Sequence, residues 1–171
     1  MNYKIKLRDI SCFILDVDGV LTNGSILING NDYQRSINAK DSYALQYAAK
    51  MGYKIFIITG GESLTIKKTY LKLGVTQVYL ESSDKLSVFK NLIEEYKIDA
   101  NSVLYMGDDI PDIPLLHEVG LSASPADACV DVKQIVDYVS PFSGGMGCVR
   151  DLIEQTMRVQ GKWLSEKAYQ W

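Results

Sequence analysis

Ile10-Ser11-Cys12-Phe13-Ile14-Leu15 runs directly into Asp16-Val17-Asp18-Gly19-Val20-Leu21-Thr22, a short apolar stretch that stops on two carboxylates and a glycine. An apolar run this short, rich in large side chains and ended by a turn signal, reads as a buried strand with acids at its carboxyl end. The same pattern recurs twice. Tyr53-Lys54-Ile55-Phe56-Ile57-Ile58 ends at Thr59-Gly60-Gly61, and Val103-Leu104-Tyr105-Met106 ends at Gly107-Asp108-Asp109. Helical spacing fills the intervals: residues 42–51 carry Tyr43, Leu45, Tyr47 and Ala48, residues 64–73 close on Gly74, and residues 85–96 carry Leu86, Val88, Phe89, Leu92 and Ile93. Strands alternating with helices predict an α/β fold, a doubly wound parallel sheet whose ligands bind beyond the carboxyl ends of the strands. Short strands at 119–122 and 138–139 and a helix over 148–159 complete the pattern, with Ser143-Gly144-Gly145-Met146-Gly147 read as a flexible turn.

One stretch interrupts the alternation. Residues 25–28 and 33–37 are short apolar strands around Asn29-Gly30-Asn31-Asp32, and Asn-Gly is a strong hairpin signal. A hairpin this apolar is unstable alone and must pack on its own domain or on another subunit, the second being the expectation. The chain of 171 residues reads as a single domain, 1–171, with the hairpin 25–37 inserted after the first strand and a C-terminal tail at 160–171. The net charge of −3 lacks the basic footprint of a nucleic-acid or anionic-membrane binder. Cys12, Cys129 and Cys148 are widely spaced and outline neither a bridge framework nor a zinc site. No membrane span or signal peptide is visible, and the expectation is a cytoplasmic protein acting on a small molecule.

Asp16 and Asp18, two residues apart at a strand end, can face one site if the turn at Gly19 leaves the extended conformation. One carboxylate can then attack as nucleophile while the other serves as general acid and base. Asp108, Asp109 and Asp112 add acids at a second strand end, and so many carboxylates call for a hard cation with oxygen ligands, magnesium above all. Thr59, Gly60 and Lys85 supply the hydroxyl, N–H and ammonium donors that suit a phosphoryl group. Each piece alone is a common turn, cap or surface feature; their ordered combination is what carries weight.

In that order the sequence resembles the haloacid dehalogenase superfamily of phosphotransferases. The resemblance implies Asp16 as nucleophile, Asp18 as general acid/base, Thr59 and Lys85 as phosphate contacts, and magnesium held by Asp16, the backbone carbonyl of Asp18 and Asp108, with Asp109 and Asp112 in support. Residues 16–24, the hairpin, Asn38-Ala39-Lys40-Asp41-Ser42-Tyr43-Ala44, Ser83-Asp84-Lys85, residues 105–112 and 144–150 are similar, more closely, to the 3-deoxy-D-manno-octulosonate 8-phosphate phosphatase family. That likeness implies hydrolysis of a phosphorylated eight-carbon sugar acid in lipopolysaccharide precursor synthesis. It also implies a fold with no large cap domain and a homotetramer whose hairpin helps cover a neighbour's site, with Asn38, Lys40 and Asp41 near the substrate and Arg150 in a segment that can approach a site.

After Thr59-Gly60 many relatives carry a basic residue within two positions, where this chain has Gly61 and Glu62. Glu62 disfavours a carboxylate beside it and suits sugar hydroxyls, leaving Lys40, Lys67 or Arg35 to supply positive charge. A phosphatase for a nine-carbon nonulosonate 9-phosphate is therefore the alternative substrate reading. Two other classes compete: a receiver-type phosphoacceptor domain and a non-catalytic domain. In a receiver the acceptor carboxylate would end a middle strand, and here the corresponding strand ends in Thr59, while Asp18 is available to hydrolyse an adduct on Asp16. The joint presence of Asp16, Asp18, Thr59, Lys85 and Asp108 argues against a silent domain.

Overall fold

A computed structural model describes residues 2–30 and 32–170. In chain order the elements are α1 (Tyr3–Lys6), β1 (Cys12–Leu15), β2 (Leu27–Asn29), β3 (Asp32–Gln34), α2 (Ala39–Lys50), β4 (Lys54–Ile58), α3 (Leu64–Lys72), β5 (Gln77–Tyr79), α4 (Lys85–Tyr96), β6 (Val103–Met106), α5 (Ile113–Leu116), β7 (Leu121–Ser124), α6 (Val130–Ile135), β8 (Tyr138–Val139) and α7 (Cys148–Val159). Six strands form one parallel sheet in the order β5-β4-β1-β6-β7-β8, and β2 and β3 form a separate antiparallel pair. Leu15 of β1 pairs with Ile57 of β4 on one side and Met106 of β6 on the other, so three polar turns leave the sheet side by side. The chain first winds to one side of β1 and then returns to the other, which opens the crevice typical of such sheets beyond β1 and β6.

Successive residues of the central strands bury opposite faces. Phe13, Leu15, Ile55, Ile57, Leu104 and Met106 pack on one side with α2, α3 and α7, whereas Cys12, Ile14, Phe56, Ile58, Val103 and Tyr105 pack on the other with α4, α5 and α6. That two-sided burial is why these runs read as continuously apolar instead of alternating. α7 buries Cys148, Val149, Leu152, Ile153, Thr156 and Met157, a stripe at helical spacing. No helix among the described residues is long and apolar enough to cross a membrane.

The structure departs from the sequence reading in several places: α1 is an addition, and the strand expected at 119–122 is β7 at Leu121–Ser124. β5 is an addition, a three-residue edge strand with only Val78 buried. The short helices α5 and α6 span too few residues to show a period. α2 begins at Ala39, ahead of the expected 42, because Asn38 caps it by accepting hydrogen bonds from the Lys40 N–H (2.8 Å) and Asp41 N–H (3.3 Å). The glycine-rich turn is a tight backbone packing and not a flexible tether: a Cβ at Gly144 would lie 1.9 Å from the Gly19 carbonyl oxygen, and the Gly145 N–H bonds to the Val20 carbonyl at 2.9 Å. The hairpin forms as expected, with Ile28 opposite Tyr33; Asn31, placed in its turn by the sequence, lies outside the described residues. Leu27 and Ile28 are 64% and 68% exposed.

Candidate active site

Asp16 follows β1 and its N–H bonds to the Met106 carbonyl (3.1 Å), which ties it to the neighbouring strand end. The chain then turns through Gly19 at φ +88°, a left-handed conformation that glycine adopts without steric cost. A second reason for glycine is the Asp108 carboxylate, whose Oδ2 would stand 2.0 Å from an added Cβ. Thr59 follows β4, is buried, and its Oγ1 accepts from the Gly61 N–H (3.1 Å), while the Ser82 N–H bonds to its carbonyl (3.0 Å). Lys85 is the first residue of α4, capped by Asp84. Its Nζ donates to Asp112 Oδ1 at 2.6 Å and lies 3.1 Å from Asp16 Oδ1.

Asp112 is the buried hub. Its Oδ1 also accepts from the Tyr105 hydroxyl (2.5 Å), and its Oδ2 accepts from the N–H groups of Asp108 (2.9 Å) and Asp109 (3.2 Å). Asp16, Asp18, Thr59, Lys85, Asp108 and Asp112 all line one cavity of about 510 Å³, whose wall also includes Gly60 and the exposed Asp109. Burial pushes the Asp16 carboxyl up to about 6 against the attraction of Lys85. Burial, then the charges of Asp16 and Asp112, pushes Asp108 up to about 7. Burial works against the Lys85 charge, but Asp16 and Asp112 outweigh it and hold the ammonium above the usual lysine value.

Oxygens of Asp16, Asp108 and Asp112 come within 4.8 Å of one another. A hard divalent cation fits this all-oxygen set. Because both Asp112 oxygens already accept two hydrogen bonds each, Asp16 and Asp108 are the carboxylates left to turn to an ion.

Asn38, Lys40, Asp41 and Arg150 are not brought into this cavity. Besides capping α2, Asn38 donates from Nδ2 to the Gly145 carbonyl (3.1 Å). Asp41 is buried and accepts from the N–H groups of Gly147 (3.1 Å) and Arg150 (2.7 Å) at the start of α7. Lys40 and the Arg150 side chain line a separate cavity of about 380 Å³, where Arg150 also lies 5.4 Å from the centre of the Trp163 ring. Two contacts of the site have no counterpart in the sequence reading. Tyr105 reads as strand interior, although a tyrosine in a buried run signals a hydroxyl in need of a partner. Arg35, one of three candidates for positive charge, clasps the Asp18 carboxylate itself, with Nε at 2.6 Å and Nη2 at 3.0 Å.

A model of haloacid dehalogenase-like hydrolases matches residues 75–149. The 3-deoxy-D-manno-octulosonate 8-phosphate phosphatase of Escherichia coli K12 is 36% identical over 158 residues, covering 92% of this chain and 84% of that protein. The chain belongs to the 3-deoxy-D-manno-octulosonate 8-phosphate phosphatase family. Within the family, the Moraxella catarrhalis phosphatase, solved with magnesium, phosphate and KDO, superposes with a TM-score of 0.91 at 29% identity, covering 95% of this chain and 95% of that one. A cobalt-bound Haemophilus influenzae member superposes at 0.90 and 27% identity, covering 96% and 98%. The six-stranded parallel sheet with a separate two-stranded hairpin and no large cap is therefore the architecture of these phosphatases.

Proposed function

We propose that this chain hydrolyses the phosphate ester of 3-deoxy-D-manno-octulosonate 8-phosphate to the free sugar acid and inorganic phosphate. The observation that carries this reading is the convergence of Asp16, Asp18, Thr59, Lys85 and Asp108 from four separate chain segments on one cavity. Asp16 attacks phosphorus and the P–O bond to the sugar breaks, leaving an aspartyl-phosphate. Asp18 gives its proton to the departing sugar oxygen, then takes one from the water that cleaves the acyl phosphate and regenerates Asp16. Lys85 holds the Asp16 carboxylate in place and, with the Thr59 hydroxyl, compensates charge on the transferring group. Asp112, fixed by four donors, positions Lys85 and the Asp108 backbone.

Asp16, Asp108 and the backbone carbonyl of Asp18 would hold magnesium, which supplies charge neutralisation for the phosphoryl oxygens. The exposed Leu27 and Ile28 support self-association through the hairpin, with a tetramer as the expected assembly. Glu62 stands in the wall of the groove next to the catalytic cavity and favours the second reading, a nine-carbon nonulosonate 9-phosphate.

The test is phosphate release, with magnesium and with chelator, from the eight-carbon ester, nine-carbon esters, hexose phosphates and nucleotides. Preference for the eight-carbon ester, lost in Asp16→Asn, is the expected result. Preference for a nine-carbon ester would replace the substrate, and no metal-dependent release from any ester would overturn the catalytic reading.

A further inference from the structure

Beside the catalytic cavity runs a groove of about 680 Å³ that shares Gly60 and Gly61 with it. A phosphate seated at Thr59 and Lys85 has this groove, joined to the cavity at Gly60 and Gly61, beside it to receive the remainder of a long substrate. Its wall carries Glu62 and Glu81, the hydroxyls of Ser63 and Thr65, and a single cation among the described residues, Arg35. The two carboxylates suit sugar hydroxyls and repel an anion. An acidic substrate group therefore has one favourable place, beside the guanidinium. Lys40 lies on a different cavity, and Lys67 does not line this groove.

That guanidinium is already engaged. It grips both oxygens of Asp18, in the fork geometry by which arginine binds any carboxylate. The Asp18 side chain is 32% exposed, whereas that of Arg35 is only 8% exposed, so the pair stands at the boundary of the groove with the guanidinium packed and its partner wet. Arg35 directly follows β3, which among the described residues pairs with β2 alone, so the main sheet does not fix its position. Gly61 lies beside the pair: a Cβ there would make ordinary contact with Arg35 Nη2 (3.5 Å) and Asp18 Oδ2 (3.8 Å).

We propose that Arg35 is the substrate-carboxylate receptor and that it rests on Asp18 until a carboxylate-bearing substrate draws it away. Recognition of the far end of the substrate and release of the acid/base group are then one event. This rests on the reading of Asp18 and of a sugar-acid substrate given above. A phosphate ester without a carboxylate binds while Arg35 still holds Asp18, and it turns over poorly for that reason.

Steady-state kinetics of wild type, Arg35→Gln and Arg35→Lys, on the octulosonate 8-phosphate and on glucose 6-phosphate, separate the possibilities. On the carboxylated ester Arg35→Gln loses a charge-assisted contact, and kcat/KM falls about 10- to 100-fold. On glucose 6-phosphate the same variant frees Asp18, and kcat rises about 2- to 5-fold, the factor a partly exposed ion pair provides. Arg35→Lys restores part of the first effect, because it keeps the charge and loses the fork. Equal losses on both esters would show a structural role, and no change on either would show an idle contact; each overturns the proposal. A wild-type enzyme that hydrolyses glucose 6-phosphate and ignores the octulosonate ester would overturn the substrate reading and the receptor role. The rise on glucose 6-phosphate reports the Asp18 contact separately.

Discussion

Replacing Asp112 by asparagine changes one buried atom and unbalances four hydrogen bonds. The carboxylate accepts from Lys85 and Tyr105 on one oxygen and from two backbone N–H groups on the other, in a side chain that is 1% exposed. Asparagine has one acceptor oxygen and one NH₂ group, so in either orientation two donors face a third donor. A buried donor without an acceptor costs about 1–3 kcal/mol. Lys85 keeps Asp16 at 3.1 Å, which limits the damage on that side. The loss is therefore about 2–5 kcal/mol, a large share of the roughly 5–15 kcal/mol that holds a domain folded. At about 2–4 °C per kcal/mol for a chain of this size, Tm drops by about 5–15 °C. Urea unfolding of wild type, Asp112→Asn, Tyr105→Phe and the double variant measures it. The double variant should be less destabilised than the sum of the singles, because loss of the tyrosine hydroxyl takes away one of the stranded donors. A single-variant loss below about 0.5 kcal/mol would refute the argument, since it would mean that water or rearrangement satisfies the hub.

Gly144→Ala forces a methyl against the Gly19 carbonyl, and overpacking of this kind costs about 1–3 kcal/mol; thermal melts should show it, together with lower turnover as the Asp18-Gly19 loop shifts. Burial opposes the charge on Asp137, but Lys6 and the Ser122 N–H and hydroxyl outweigh it and hold the carboxyl below its ordinary value. The stabilisation it brings is complete above the unfolded carboxyl value, near about 3.9, and is lost as pH falls through the lower folded value. Asp137→Asn should therefore narrow the stability gap between neutral pH and acid in urea titrations. Ile28→Glu places a charge on the exposed hairpin face and should shift sedimentation toward smaller species while leaving the circular dichroism of the main sheet intact. Unchanged sedimentation of a multimer would move the contact elsewhere.

The central strands are legible in the sequence because burial on both faces leaves an unbroken apolar run, and the acids are legible because each run stops on them. Asp16, Asp18, Thr59, Lys85 and Asp108 do share a cavity. Less visible is anything decided by contacts across the fold. Asn38 is legible as a good helix cap, but its bond across the fold to the Gly145 carbonyl leaves no local mark. Asp112 reads as one supporting acid among three, because hydrogen bonds from Tyr105 and Lys85 leave no mark on local pattern. Arg35 and Asp18 are 17 positions apart, and only the path of the hairpin decides that they touch. β5 escapes because an edge strand with one buried side chain has no period to detect.

The convergence of strand ends also governs how the molecule comes into being. Asp16, Thr59 and Asp108 stand on turns that become neighbours only when β1 has paired with both β4 and β6, pairings that span about 40 and 90 positions of chain. Parallel pairing across such loops is entropically late, because long closures must be made before any contact rewards them. During synthesis, β1 and β4 emerge long before β6, so the nascent sheet carries a half-built acid pair beside an unfilled edge. Activity should therefore appear together with completion of the sheet, and no N-terminal fragment ending before Val103 should release phosphate.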